Sequence, residues 1–199
     1  MNSTAFILAG GRSTRMGADK AMLELGSDKL LERAIRVCKR ACSTVALIGE
    51  KKRLRPFGWV IEDVFRGQGP LAGIHAALSS KAASEFNLFL AVDMPSVTTD
   101  LLRFLVHTAE ESNAVVIVPR VEDHLQTLCA IYRPGFRRVA EEALLAGHNK
   151  IDPLFHQVRT RIVEQSELKS LGFSAELFDN VNTPDEFKKI QRKLGATHR

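Results

Sequence analysis

Residues 4 to 20 read Thr4-Ala5-Phe6-Ile7-Leu8-Ala9-Gly10-Gly11-Arg12-Ser13-Thr14-Arg15-Met16-Gly17-Ala18-Asp19-Lys20. The apolar run Thr4–Leu8 has the length and bounding turn signals of a strand buried on both faces. Two adjacent glycines follow. They tolerate positive φ and close backbone approach, so successive N–H groups can converge on an anion. Arg15 and Lys20 place two positive charges at the rim of that cradle. A buried strand that ends in an anion-binding loop is how open α/β sheets present their ligands.

Two commoner phosphate fingerprints do not fit this loop. A Walker A loop has four residues between its glycines and then Gly-Lys-Ser/Thr. Here Gly11 and Gly17 enclose five residues, and Ala18 follows Gly17. The dinucleotide pattern G-x-G-x-x-G fails because Gly10 and Gly11 are adjacent. Two glycines alone are better accounted for by a strand-to-loop turn with a solvated basic tip. The whole string from Leu8 to Lys20 is what favours a triphosphate cradle.

Outward from the loop, apolar runs alternate with helix-period segments. Strands are predicted at Thr44–Ile48, Trp59–Ile61, Asn87–Val92, Ala114–Val118, Thr127–Tyr132, Thr160–Val163 and Leu177–Phe178. Helices are predicted at Asp28–Cys42, Leu71–Ser80, Asp100–Glu111, Gly135–Ala146 and Pro184–Leu194. This alternation implies an α/β fold, a largely parallel sheet with helices on both faces. The loops at Gly10–Lys20, Glu62–Gly73, Asp93–Pro95 and Asn180–Thr183 are each read as following a strand, so they can meet at one edge of the sheet. No repeat or linker interrupts the chain, and residues 1–199 are read as one domain.

Composition narrows the function classes. A hydrophobic content of 45% and a charged content of 26% suit a soluble globular protein. No apolar run approaches the roughly 18 residues of a membrane span, and no leader pattern precedes the first strand. The expected location is the cytoplasm. Cys38, Cys42 and Cys129 form no Cys-x-x-Cys spacing and are read as buried reduced thiols. The net charge of +5 is spread over separate segments such as Lys51-Lys52-Arg53 and Lys188-Lys189, read as solvated faces. One Trp and one Tyr supply little stacking for nucleic acid. The six histidines show no metal spacing, and no nucleophile elbow is present.

Four further positions carry chemistry. Asp93 ends an apolar strand and can hold Mg²⁺ against a triphosphate, because Mg²⁺ takes few protein carboxylates and completes its shell with phosphates and water. Its competing role is a turn or helix cap. Asp63 can bind metal, ribose or substrate, or stand as a solvated loop residue. Gly67-Gln68-Gly69-Pro70-Leu71-Ala72-Gly73 can present helix-start N–H groups to an anion, or act as a lid or hinge. Thr183, Pro184 and Glu186 read as a capping box with proline at the first helical position. Asn180 and Asn182 are not needed by that cap and are candidate ligand contacts.

Taken together, the Leu8–Lys20 string, Gly69-Pro-Leu-Ala-Gly73, Val92-Asp-Met-Pro95 and Asn180-Val-Asn-Thr-Pro184 resemble the molybdenum cofactor guanylyltransferase family, within the glycosyltransferase-A-like nucleotidyltransferases. The four motifs stand in family order over nearly the whole chain. The resemblance implies a Rossmann-like three-layer sandwich. It implies that GMP passes from GTP to the phosphate of molybdopterin and that pyrophosphate leaves. Leu8, Ala9, Gly10 and Gly11 would line the GTP site. Lys20 and Arg15 would hold phosphates, Asp63 would contact the nucleotide, and Asp93 would bind Mg²⁺ and the triphosphate. The catalytic set would then be Arg15, Lys20 and Asp93, with Asn180 and Asn182 facing the pterin. Implied partners are GTP, molybdopterin and molybdoenzyme-maturation proteins, with no nucleic acid and no membrane. Two departures stand out: Ile48 where a polar base contact is expected, and Gln126-Thr127-Leu128-Cys129-Ala130 without the expected proline. Competing readings are the same chemistry with CTP or a sugar-phosphate acceptor, and a nucleotide-binding cofactor chaperone without catalysis.

Overall fold

A computed structural model describes residues 2–10 and 19–196. The first strand, β1 (Ser3–Leu8), leads through a 3-10 turn (Lys20–Met22) to a hairpin of β2 (Glu24–Leu25) and β3 (Asp28–Lys29). Next come α1 (Leu30–Ala41), β4 (Thr44–Ile48), α2 (Lys51–Leu54), β5 (Val60–Ile61), α3 (Pro70–Leu78) and β6 (Phe86–Ala91). The second half holds α4 (Thr99–Glu110), β7 (Val116–Val121), β8 (His124–Leu125), β9 (Cys129–Tyr132), α5 (Phe136–Leu145), β10 (Thr160–Val163), α6 (Gln165–Ser170) and α7 (Pro184–Ala196).

The main sheet has the order β10-β7-β9-β6-β1-β4-β5, with β8 paired to β7. Along that order β9 alone runs against its neighbours, pairing antiparallel with both β6 and β7. The pairs β1–β4, β1–β6, β4–β5 and β10–β7 are parallel. Alternation along the strands sets the layers. Ala5 and Ile7 of β1 and Leu88 and Leu90 of β6 join one core with α1 and α4. Phe6 and Phe89 join the opposite core with α3 and α5. Each such Leu or Phe is fully buried, a gain of about 1.5–3 kcal/mol apiece. This is the expected three-layer α/β sandwich with a mostly parallel central sheet.

A polar residue in this core is fully paired. Asn87 Nδ2 donates to the carbonyls of Ser84 (2.8 Å) and Tyr132 (2.9 Å), and its Oδ1 accepts from the Ser84 amide (2.8 Å). Cys38, Cys42 and Cys129 are free and buried, and burial pushes the Cys42 thiol up to about 11 and the Cys129 thiol up to about 12. Among the described residues no helix is long and apolar enough to cross a membrane.

The structure corrects three expectations. Leu177 and Phe178 belong to a 3-10 turn (Ala175–Phe178), not a strand. Its i to i+3 bonds, Leu177 N to Ser174 O at 3.2 Å and Asp179 N to Glu176 O at 3.2 Å, satisfy the backbone locally while Phe178 is buried. Asn180–Thr183 therefore follows a turn and not a strand. Asp28 and Lys29 pair with Leu25 and Glu24 before the helix starts, because Gly26 at φ +68 closes a tight turn there.

Candidate active site

β1 is the point at which the sheet changes direction. The chain passes from β1 to β4 on one side and later returns, through α3, to β6 on the other. Crevices at the carboxyl ends of strands around such a point are where ligands of open sheets bind. A cavity of about 550 Å³ lies there. Its lining includes Leu8 at the end of β1 with Ala9 and Gly10 after it, Ile48 at the end of β4, Asp63 beyond β5, and Val92 and Asp93 beyond β6. Lys20, Gly69, Pro70, Gly73 and Leu128 are also among the residues of its wall.

The strand ends are knitted beyond the regular ladder. The Ala9 amide donates to Ile48 O at 3.0 Å and the Gly49 amide to Ile61 O at 3.1 Å. Gly49 holds φ +147, and a Cβ on it would come within 3.1 Å of Gly10 N and 2.9 Å of Leu54 Cδ1. Only glycine lets the two backbones meet this closely.

Lys20 is the hub of the polar contacts. Asp19 caps the turn that carries it, with Oδ1 accepting from the Ala21 amide at 3.1 Å. Lys20 Nζ then stands 3.0 Å from Asp93 Oδ2 and 2.8 Å from Asn182 Oδ1. The Lys20 and Asp93 side chains are 19% and 22% exposed, so solvent screens the pair only partly. Asn182 is fixed from behind. Its amide and that of Thr183 donate to Glu186 Oε2 at 2.7 and 3.0 Å, and the Glu186 amide donates to Thr183 Oγ1 at 3.2 Å. This is the capping box read from the sequence, and the backbone donor at Asn182 is the main cause holding the Glu186 carboxyl below its ordinary range. Val181 is buried, and its amide donates to Asp93 O at 2.8 Å, joining the carboxy-terminal segment to the end of β6.

Asp63 forms the other flank. Its Oδ1 is buried and has no hydrogen-bond partner among the described residues. Burial raises its carboxyl above the ordinary value. A Cβ on Gly73 would stand 3.5 Å from that oxygen, 3.0 Å from Ile48 Cγ2 and 3.4 Å from Leu8 Cδ2. Leu8, Ile48 and the bare face of Gly73 thus make an apolar slot with a carboxylate at its side. Before α3, Gly67 and Gly69 adopt φ +78 and +73, Pro70 opens the helix without an N–H of its own, and the Ala72 amide donates to Gly69 O at 3.2 Å.

Lys20, Asp93 and Asn182 therefore meet directly, and Leu8, Ala9, Gly10 and Asp63 share the cavity that Lys20 and Asp93 line. Asn180 is exposed and joins none of these contacts. Gly11 and Arg15 lie outside the described residues. The sequence reading missed Arg53, which pairs with Asp19 at 2.6 Å and donates to the Ala9 carbonyl. Within Lys51-Lys52-Arg53 no local signal distinguishes it from its solvated neighbours. A second cavity of about 510 Å³ adjoins the first, sharing Gly10, Asp63 and Gly67 with it.

This arrangement can take a nucleoside between Leu8, Ile48 and Gly73 and bring its phosphates to Lys20. Comparison with known proteins agrees with that capacity. Residues 5–162 match the family model described as a MobA-like NTP transferase domain. A protein of Pelotomaculum thermopropionicum named probable molybdenum cofactor guanylyltransferase is 39% identical, covering 96% of this chain and 93% of its own. The molybdenum cofactor guanylyltransferase of Syntrophotalea carbinolica is 32% identical, covering 96% and 91%. The crystal structure of molybdopterin-guanine dinucleotide biosynthesis protein A from Archaeoglobus fulgidus superposes with a TM-score of 0.85. It is 24% identical and covers 97% of this chain and 99% of its own, a likeness of fold.

Proposed function

From the premise that this chain belongs to the MobA-like NTP transferase family, we propose that it is a molybdenum cofactor guanylyltransferase. It moves GMP from GTP to the phosphate of molybdopterin, releases pyrophosphate and forms the guanine dinucleotide cofactor. The observation that carries this reading is the position of Lys20 Nζ, 3.0 Å from Asp93 and 2.8 Å from Asn182. One ammonium there joins the donor loop, a strand-end carboxylate and the segment assigned to the acceptor.

Roles follow from the chemistry of each group. Leu8, Ala9 and Gly10 line the nucleoside, and Gly11 extends that backbone cradle. Asp63 accepts from the base: guanine offers N–H donors at both N1 and N2, whereas cytosine has a single exocyclic amine. Ile48 contributes an apolar wall and no hydrogen bond, so base choice falls on Asp63. Lys20 and Arg15 hold the triphosphate. Asn182, held against Lys20, and Asn180 on the same segment face the pterin.

Magnesium fits the donor set. Asp93 offers hard carboxylate oxygens on the cavity and engages Lys20 through Oδ2. Such an ion draws most of its shell from phosphates and water. Asp93 would hold it; when bound, it neutralises charge on the triphosphate oxygens.

An oxygen of the pterin phosphate forms the new bond to the α-phosphorus, and the bond from that phosphorus to the bridging oxygen breaks, with pyrophosphate leaving in line. The attacking oxygen is already anionic, so no protein base is required. This chain's residues contribute position and charge. We place the reaction in the cytoplasm, in one domain spanning residues 1–199, with molybdoenzyme-maturation proteins receiving the product. Pyrophosphate release from Mg-GTP in the presence of molybdopterin tests the reading. Asp93→Ala should lower that rate about 100-fold or more, and a near-parental rate overturns the assignment.

A further inference from the structure

One side chain ties together both described flanks of the glycine-rich segment. Arg53 sits on α2, directly beyond the end of β4, and its guanidinium turns back toward the cavity. Nη2 donates to the carbonyl of Ala9, the first residue after β1. Nη1 stands 2.6 Å from Asp19 Oδ2. Asp19 uses its other oxygen to cap the turn that carries Lys20, accepting from the Ala21 amide at 3.1 Å. A continuous path thus runs from the strand end that lines the nucleoside, through Arg53 and Asp19, to the ammonium 3.0 Å from Asp93.

The geometry calls for a guanidinium. A planar fork can direct two donors at two separate acceptors, whereas an ammonium is a compact point charge on a flexible stem. The Arg53 and Asp19 side chains are 26% and 30% exposed, so the contact is more sheltered than an ordinary surface pair. Arg53 Nε is buried and has no hydrogen-bond partner among the described residues. Leaving a donor unpaired is unfavourable, and the fork keeps its place despite it.

We propose that Arg53 is a positioning residue of the nucleotide site. It sets the separation between Ala9 and the turn at Asp19, and so the direction in which Lys20 leaves toward the phosphates. The proposal rests on the guanylyltransferase reading of this site. Arg53 touches no reacting atom, so its loss acts on triphosphate binding. Arg53→Ala and Arg53→Lys should each raise KM for Mg-GTP about tenfold. In both, kcat stays within about threefold and KM for molybdopterin is unchanged. Asp19→Asn should shift KM for Mg-GTP in the same direction, and the Arg53→Ala/Asp19→Ala pair should be less than additive.

Steady-state kinetics and calorimetric titration of Mg-GTP into the ligand-free protein measure these effects, with thermal unfolding recorded alongside. Should Arg53→Ala not fold, Arg53→Lys and Asp19→Asn carry the test. Parental affinity for Mg-GTP in Arg53→Lys overturns the proposal. So does a loss confined to Tm and kcat, which marks a merely structural arginine. A parent protein that binds no nucleoside triphosphate overturns the underlying reading of the site, and the role of Arg53 with it.

Discussion

Asp63 keeps a buried carboxylate oxygen without a hydrogen bond among the described residues, and burial raises its carboxyl above the ordinary range. At low pH the group is neutral in both folded and unfolded chains, so folding is not penalised. As pH rises the unfolded chain ionises first, and the folded state loses stability until both carry the charge. Asp63→Asn should therefore stabilise the ligand-free protein at neutral pH, by roughly 1 kcal/mol or less, with the gain shrinking toward pH 4. The same change should weaken Mg-GTP binding about tenfold or more. Urea unfolding at the two pH values, with calorimetry at neutral pH, reads both effects. Asp63, Asp93, Lys20 and Asn182 were legible because each falls in a motif or just past an apolar run, where side chains reach the sheet edge. Arg53 was not, since its role depends on how the four residues of α2 bring its side chain to Ala9 and Asp19, and that is a tertiary fact.

The elements bring several backbones unusually close at this edge, and α3 shows the consequence. In a helix interior alanine is favoured over glycine by about 1 kcal/mol. At Gly73 the added Cβ would meet Ile48 Cγ2 at 3.0 Å and stand 3.5 Å from Asp63 Oδ1. The two effects oppose one another, so Gly73→Ala should change stability by less than about 1 kcal/mol. It should raise the Kd for Mg-GTP several-fold by narrowing the slot. Thermal unfolding and nucleotide titration of the same variant separate the two. Elements such as β1, β4, β6 and α1 were readable because five to twelve residues carry a clear period or a continuous apolar run. The hairpin β2–β3, helices α2 and α6, and the turn at Ala175–Phe178 are too short to carry one. The reversal of β9 was also hidden, because an apolar strand reads the same in either direction.

For the molecule as a whole, the site gathers strand ends that pack only in the folded state, so ligand binding and folding are linked. At 100 times its Kd a ligand adds about 2.7 kcal/mol, which for a protein of this size is a Tm rise on the order of 5–10 °C. Side-by-side thermal shifts should show Mg-GTP stabilising more than Mg-ATP, Mg-CTP or Mg-UTP; equal shifts would count against guanine selectivity. The parallel character of the sheet and the helices on both faces were visible in the sequence as alternation, whereas strand order required the structure. That order also sets a timetable for synthesis. β1 emerges first and can join β4 early, yet its other edge waits for Phe86 to arrive opposite Ser3. Lys20 waits longer, because Asn182 lies 162 residues further along the chain. At about 5–20 residues per second on the ribosome, most of the sheet is complete before the last helix appears. A chain released short of Asn182 would lack the carbonyl that Lys20 meets at 2.8 Å, so this contact is among the last the molecule can make.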